Sequence, residues 1–293
     1  MLRRENGACA YYTSQLLNTV DDGTLLHGFS TRHGGVSRDP YIGSLNFGFS
    51  VGEERTLTLE NYRRFSSAIG TSFEHLVCCR QAHTSNVVTV TREHLGLGLE
   101  AGKDRILPPV IREQGWDALV TRERGVTLLI RTADCVPILF YDPVHYVIGA
   151  AHAGWRGTYD GIAAKTLSAM IALGASAETT YACIGHAVGV CCYEVDAAFY
   201  DRFWLRFGGM FCSSIFRFTS KGRIYCDLRA ANRLLLQGAG MKEENIELST
   251  LCTCCDPKEF HSHRYAMKHN DGKRGLMAAA IGMQNELPFW STL

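Results

Sequence analysis

Two neighbouring stretches, TADCVPILFYDP at residues 132–143 and GAAHAGWRG at residues 149–157, decide how this chain folds around its chemistry. The apolar run after Cys135 and the one before His152 predict two β-strands, and the Asp-Pro step between them predicts a hairpin turn. A hairpin return brings the start of one strand and the end of the other to the same edge of a sheet. The spacing is too wide for the short ligand pairs of a zinc finger, but it suits two ligands on adjacent strands.

The rest of the chain predicts one mixed α/β (α+β) domain over residues 1–293. Helical periodicity over 53–69, 162–171 and 195–207 alternates with short apolar runs that predict strands, and no linker or composition break divides them. The Gly- and Pro-interrupted stretch 92–114 is typical of a long loop and is a candidate lid.

Composition excludes several classes of protein. A net charge of +1 gives no basic field for nucleic acid, and no apolar run approaches the roughly 20 residues of a membrane span. The first residues lack the apolar segment of a secretory signal, so we expect a cytoplasmic protein whose 12 cysteines are mostly free thiols. The oligomeric state stays open, with a homodimer as one alternative.

A metal site needs a third ligand beside Cys135 and His152, and His83 in Gln-Ala-His at a predicted strand end is the best candidate. Two imidazoles and one thiolate match catalytic zinc, which keeps its fourth position open for water and lowers the pKa of that water to about 7. Two alternatives stay open. Cys135 is either a buried thiol among ordinary polar residues, or a nucleophile whose proton His152 takes.

Candidate substrate-binding residues lie in polar turns. Arg32 and Arg156 occupy Gly-rich turns where a guanidinium fork suits phosphate or carboxylate, and the alternative for each is a solvated or salt-bridged surface arginine. Asn46 could hydrogen-bond a sugar or base, or it could equally shape a turn. The stretch 252–255, with four residues CTCC, precedes His-Ser-His at 261–263, but its spacing is not that of a zinc ribbon. We therefore favour structural thiols and a loop there over a second metal.

Nine motifs together resemble one family, the bacterial laccase-domain or polyphenol oxidase proteins, which are multifunctional purine nucleoside phosphorylases. The motifs span nearly the whole chain and are HGFSTRHGGVS, SLNFG with LENYRRF, RQAHTSNVV, GWDALVT, TADCVPILFYDP, GAAHAGWRG, IGHAVGVCCYEV, DLRAANRLLL and RGLMAAAIG.

The resemblance implies a four-layer α/β/β/α sandwich with mixed sheets and a catalytic Zn²⁺ held by His83, Cys135 and His152. It implies phosphorolysis of adenosine, inosine, guanosine and methylthioadenosine, with hydrolytic deamination of adenosine. One departure bears on the substrate: Leu276 stands where the family usually has arginine, and Arg274 is expected to point elsewhere.

Rival hypotheses predict other activities. A cysteine or zinc hydrolase would cleave amides, as in editing of cell-wall precursors, and a zinc-binding partner protein would turn over nothing. A copper polyphenol oxidase is disfavoured, because electron transfer through several coppers needs repeated His-x-His pairs and this chain has one, at 261–263.

Overall fold

Two mixed β-sheets of six strands each form the centre of the computed structural model, which describes residues 1–49, 52–99 and 114–285. In the order in which they pair, the strands of the first sheet are β1 (Leu2–Asn6), β2 (Cys9–Thr13), β3 (Leu25–Ser30), β15 (Met277–Met283), β7 (Thr127–Thr132) and β4 (Leu76–Cys78). All neighbours are antiparallel except β4 and β7, which run parallel.

The second sheet contains the predicted hairpin at its centre and parallel pairs at both edges. Its strands in order are β14 (Ile246–Leu248), β10 (Tyr181–Ile184), β8 (Val136–Asp142), β9 (Val147–Ala153), β6 (Ala118–Thr121) and β5 (Val87–Thr89). A small antiparallel sheet adds β11 (Glu194–Val195), β13 (Ile224–Cys226) and β12 (Phe216–Phe218).

The helices within the described residues pack around the two large sheets. They are α1 (Gln15–Val20), α2 (Arg55–Ala68), α3 (Trp155–Tyr159), α4 (Ile162–Ala172), α5 (Ala197–Ile215), α6 (Leu228–Gly238) and α7 (His263–His269). Single 3-10 turns lie at Phe73–His75, Arg92–His94 and Glu243–Asn245. Among the residues described, every helix is too short or too polar to cross a lipid bilayer.

Three apolar layers separate the four structural layers. Leu128 and Ile281 of the first sheet pack with Leu139 and Ile148 of the second. On the outer face of the first sheet, the α2 side chains contact Leu129 and its neighbours, and α4, α5 and α6 cover the outer face of the second sheet. This order confirms the predicted α/β/β/α sandwich with mixed sheets.

Strand β8 explains why the central segment is apolar at nearly every position. Ile138 and Phe140 face the helices, whereas Leu139 and Tyr141 face the opposite sheet. A strand covered on both faces buries alternate side chains in two different cores and so reads as a continuous apolar run.

The hairpin is the element that positions the site. β8 and β9 pair antiparallel with Pro137 opposite His152 and Val136 opposite Ala153. The predicted return is confirmed, because Cys135 immediately precedes β8 at the edge where His152 lies near the end of β9.

Two boundaries differ from the sequence-based expectation. α5 extends to Ile215, past Gly208, whose φ of 78° breaks the helical path. The Cys- and His-rich stretch that was expected to form a loop leads into α7, whose first turn is capped by Ser262 accepting the Tyr265 N–H at 3.1 Å. Most of the candidate lid, residues 100–113, lies outside the described residues.

Candidate metal centre

His83, Cys135 and His152 come from separate parts of the sequence. They meet beside the ends of the central strands of the second sheet, where β8 begins and β9 ends. Their ligand atoms all lie within 4.8 Å of one another, and the two imidazole rings are 4.9 Å apart. Cys135 and His152 arrive from the hairpin, and His83 arrives from the β4–β5 loop with a φ of 58°. The trio is thus close enough for a single ion to contact all three.

Gly154 makes this approach sterically feasible. A Cβ at this position would lie 2.8 Å from His83 Nδ1 and 3.2 Å from Cys135 Sγ. Real Cβ atoms do not sit at the shorter distance, so a glycine after the His-Ala end of β9 is needed for the trio to close.

Asp117, fully buried just before β6, orients two of the three side chains. Its Oδ1 accepts the His152 Nδ1–H at 2.7 Å and the His83 backbone N–H at 3.1 Å. Its Oδ2 accepts the backbone N–H of Thr84 at 2.7 Å. The bond at Nδ1 fixes the His152 tautomer and leaves Nε2 free to ligate a metal ion, as in a carboxylate–histidine–metal arrangement.

Charge within the trio favours the thiolate. Burial alone opposes ionisation, but the charge of His152, together with hydrogen bonds from His152 and His83, lowers the pKa of Cys135 to about 6. Burial also opposes the imidazolium, but the Cys135 thiolate and Asp117 raise the pKa of His152 to about 9. The thiolate is the form of cysteine that binds a metal, so the lowered pKa of Cys135 favours metal binding near neutral pH.

Two cavities flank the trio, and both are lined by His83, Cys135 and Arg274. The larger one, about 550 Å³, adds Phe49, Arg80 and Arg131. The smaller one is about 350 Å³. Its further lining includes two aromatic side chains, Trp155 and Tyr193, and three cationic or titratable ones, Arg156, His263 and Arg264.

Of the three predicted substrate-binding residues, the structure brings Arg156 to the site. Arg156 is exposed, lines the smaller cavity, and its guanidinium lies 4.4 Å from the centroid of the Trp155 ring. Its position at the start of α3, directly after β9, places it beside the metal trio.

Arg32 is not at the site, contrary to the prediction. Its guanidinium donates to the backbone carbonyls of Gly43 at 2.8 Å and Pro257 at 2.7 Å. A guanidinium used in this way holds two loops together and has few donors left for an anion, so Arg32 is corrected to a structural role.

Asn46 is also corrected, because its side chain is fully buried. Its amide Nδ2 donates to the Gly48 carbonyl at 3.0 Å, and Oδ1 accepts the N–H of Gly48 at 2.8 Å and of Leu276 at 3.0 Å. Asn46 shapes the turn after β3 and braces the approach to β15, as the alternative weighed for Asn46 predicted.

Arg274 overturns a further expectation. It was expected to point away from the site because Leu276 takes the usual arginine position, yet Arg274 lines both cavities and Leu276 lines the larger one. Residues 273–276 precede β15 and are not in a strand, so neighbouring side chains there need not point to opposite sides.

Sequence reasoning did not single out Asp117, Tyr193 or Arg264 as site residues. The signal for Asp117 was present, because this acidic residue directly precedes an apolar strand. Tyr193 and Arg264 lie in a loop and a short helix whose approach to the site depends on tertiary packing.

Comparison with known proteins adds independent information. Residues 26–284 match the family described as multi-copper polyphenol oxidoreductase laccase. The purine nucleoside phosphorylase YlmD of Geobacillus stearothermophilus is 38% identical over 265 residues, covering 88% of this chain and 90% of that protein. The adenosine deaminase RL5, from an unknown prokaryotic organism, is 31% identical over 237 residues, covering 80% and 87%. The crystal structure of YlmD from Geobacillus stearothermophilus has a TM-score of 0.79 at 34% identity, covering 96% of this chain and 98% of that one.

Proposed function

The chain belongs to the family of multi-copper polyphenol oxidoreductase laccases, and on that premise we propose that it is a zinc-dependent purine nucleoside phosphorylase with adenosine deaminase activity. Relatives named for each of these activities support the substrate class. The observation that carries the proposal is the convergence of His83, Cys135 and His152 between two cavities.

The donor set favours zinc over the copper of the family's description. Two imidazoles and a thiolate are the ligand types of catalytic zinc, and three protein ligands leave a position for water or substrate. Reduction of dioxygen through several coppers needs many histidines. Of the two metal-capable groups within the described ranges, one offers two histidines and the other offers none. Bound zinc would supply a Lewis acid and a source of activated water at neutral pH.

The protein's own contribution starts with Asp117, which holds the proton of His152 on Nδ1. The same carboxylate accepts hydrogen bonds from the backbone N–H groups of residues 82–84, which carry His83. One buried group therefore fixes the positions of both histidines. Such preorganisation would lower the cost of binding an ion at His83 and His152.

The smaller cavity suits a purine nucleoside. Its volume of about 350 Å³ lies within the range of ligand pockets, and Trp155 and Tyr193 offer aromatic faces for a purine ring. The cavity also borders the metal trio, so a base stacked there has its reacting edge beside the site.

Arg274 and Arg156 are the residues proposed to bind phosphate. Arg274 lies where both cavities meet the trio, and Arg156 lies at the rim of the smaller one. In phosphorolysis a phosphate oxygen bonds to C1′ while the bond from C1′ to N9 breaks, and the pair of electrons leaves with the purine. Guanidinium groups hold the phosphate in line and balance its charge as the sugar becomes oxocarbenium-like.

Deamination uses the same base position. Water adds at C6 of adenosine and the amino group leaves as ammonia, giving inosine. Both reactions act on the same bound purine nucleoside. Phosphate attacks the sugar carbon C1′ and water attacks the ring carbon C6, so free purine base forms only when phosphate is present.

The test is to incubate the zinc-loaded protein with adenosine in the presence and absence of phosphate and to separate the products chromatographically. We expect inosine alone without phosphate, and adenine, hypoxanthine and ribose 1-phosphate as additional products when phosphate is present. His152→Ala should abolish all products, whereas His75→Gln, a histidine outside both cavities, should leave them unchanged. Zinc-loaded wild-type protein that forms none of these products would refute the proposal.

A cysteine amide hydrolase is the second candidate, favoured by one observation. Cys135, His152 and Asp117 stand in the order of nucleophile, base and orienting carboxylate, and Cys135 has a lowered pKa. The two candidates differ in the response to metal: zinc should inhibit a thiolate nucleophile but activate the phosphorylase. Assaying a peptide-like amide and adenosine side by side, with and without zinc, separates them.

A further inference from the structure

Four cysteines outside the metal centre converge at the end of the second sheet. Cys191 and Cys192 lie on the loop after β10, and Cys252 and Cys255 lie on the loop after β14. β10 and β14 are parallel neighbours, so both loops leave the same edge of the sheet. The four Sγ atoms all lie within 4.8 Å of one another.

We propose that these four thiols bind one zinc ion as a second, structural metal site. A tetrahedral zinc with Zn–S bonds of about 2.3 Å places its sulfurs about 3.8 Å apart. Cys255 Sγ is 3.4 Å from both Cys191 Sγ and Cys192 Sγ, and the widest separation in the group stays within 4.8 Å. Four sulfur ligands select a soft or borderline cation, and a closed set of four is the pattern of structural zinc.

Local backbone conformation explains how two adjacent cysteines can share an ion. Cys191 and Cys192 lie in a turn closed by the Cys192 N–H donating to the Gly189 carbonyl at 2.9 Å, and not in a strand. In a turn, neighbouring side chains do not alternate between two faces. The sulfur separations are also well beyond the about 2.05 Å of a disulfide bond.

The surroundings of the cluster suit bound thiolates. The Gly189 N–H donates to Cys252 Sγ at 3.2 Å, a hydrogen bond that stabilises a metal-bound sulfur. A Cβ on Gly189 would lie 3.2 Å from Cys191 Sγ and 3.1 Å from Arg229 Nη2. The buried Arg229 guanidinium is therefore close to the cluster and offsets the negative charge that four thiolates leave around a divalent ion.

The cluster is joined to the walls of the smaller cavity. Thr253, between two of the cysteines, donates its hydroxyl to Asp134 Oδ1 at 2.6 Å, and Asp134 precedes Cys135. Tyr193 follows Cys192 and lines the cavity. An ion here would hold the two loops that carry these residues. Zinc binding at the cluster does not rest on the proposed function, since it follows from the four thiols alone.

The test measures zinc in full-length, untagged protein purified under reducing conditions with zinc supplied and then removed by gel filtration. We expect Cys252→Ser and Cys255→Ser each to lose about one zinc per chain relative to the wild type. Cys254→Ser is the matched control, because it lies in the same loop outside the group of four, and it should retain the wild-type content. The readout is the difference of one ion, whatever the occupancy of the other site.

X-ray absorption at the zinc edge supplies a measurement that does not depend on folding of the cysteine variants. In His83→Ala/His152→Ala, which lacks two ligands of the first centre, the remaining zinc should have about four sulfur neighbours at about 2.3 Å. Zinc content unchanged by Cys252→Ser and Cys255→Ser would overturn the proposal. So would nitrogen or oxygen in that shell, no zinc in this variant, or disulfides among the four cysteines in the reduced protein.

Discussion

Asp117 is the residue on which the order of the metal centre most depends. It is fully buried and accepts hydrogen bonds from the His152 ring and from the backbone of residues 82–84. In Asp117→Asn the new NH₂ group faces these backbone donors, so part of the network is lost. We expect zinc affinity at the first centre to fall about 10- to 100-fold, the range typical of such supporting groups.

A competition titration against a chromogenic chelator measures this affinity. Thr84→Ser is the control, because it keeps the hydroxyl that donates to Asp117 Oδ2 at 2.8 Å. An Asp117→Asn protein that binds zinc as tightly as the Thr84→Ser protein would contradict the role assigned to the carboxylate.

Cys135 gives a second prediction at this scale, for the zinc-free protein. Because its pKa is lowered to about 6, the thiolate fraction should rise from about pH 5 to about pH 7 and then level off, whereas an ordinary cysteine rises near pH 8.5. Alkylation rates at the Cys135 peptide, followed by mass spectrometry, should show that midpoint, and zinc should suppress the reaction. A midpoint near 9 in the zinc-free protein would be the contrary result.

At the scale of elements, the junction from β9 to α3 sets the size of the metal site. In Gly154→Ala the methyl group would press on His83 Nδ1 and Cys135 Sγ, at 2.8 and 3.2 Å. We expect the trio to open and zinc affinity to drop at least about tenfold while the circular dichroism spectrum is unchanged, since the clash is confined to the site. Gly238→Ala in α6, where a Cβ meets nothing within 4 Å, should bind zinc normally.

The same element shows what sequence could and could not predict. The β8–β9 hairpin was predictable because both strands are apolar runs bounded by turn signals, and its register then fixed Cys135 beside His152. Arg274 was misplaced because its direction depends on the path of the loop before β15, which has no local sequence signal. The grouping of Cys191 with Cys255 could not be foreseen, because it depends on β10 and β14 being neighbours, a tertiary pairing without a local signal.

At the scale of the whole molecule, three buried histidines link the stability of the sandwich to pH. His27, His186 and His261 are each less than a tenth exposed. Burial keeps them neutral and lowers the pKa of His27 to about 4 and those of His186 and His261 to about 3. Tyr12, Phe29 and Phe260 lie around the His186 ring with ring centroids at 4.4–5.9 Å, so a charge there would lie among aromatic side chains.

The free energy of unfolding depends on pH because the unfolded and folded chains bind different numbers of protons. Below about pH 6.5 the unfolded chain protonates these histidines and the folded chain does not, so the free energy of unfolding falls as pH falls, until about pH 3 to 4. With three such groups the slope approaches about 4 kcal/mol per pH unit. The shifts of Cys135 and His152 oppose each other between about pH 6.5 and 9 and largely cancel there.

Urea unfolding of the zinc-free protein at pH 7, 6 and 5 measures this slope. His186→Phe, which continues the aromatic cluster without a titrating group, should reduce it by about one third, because one of three proton-binding differences is gone. His145→Gln, a half-exposed histidine, should leave the acid-side slope near the wild-type value. If the free energy of unfolding of the wild type stays constant from pH 7 to pH 5, the three imidazoles are not held neutral by the two-sheet core, and the source of its acid sensitivity must be sought among its carboxylates.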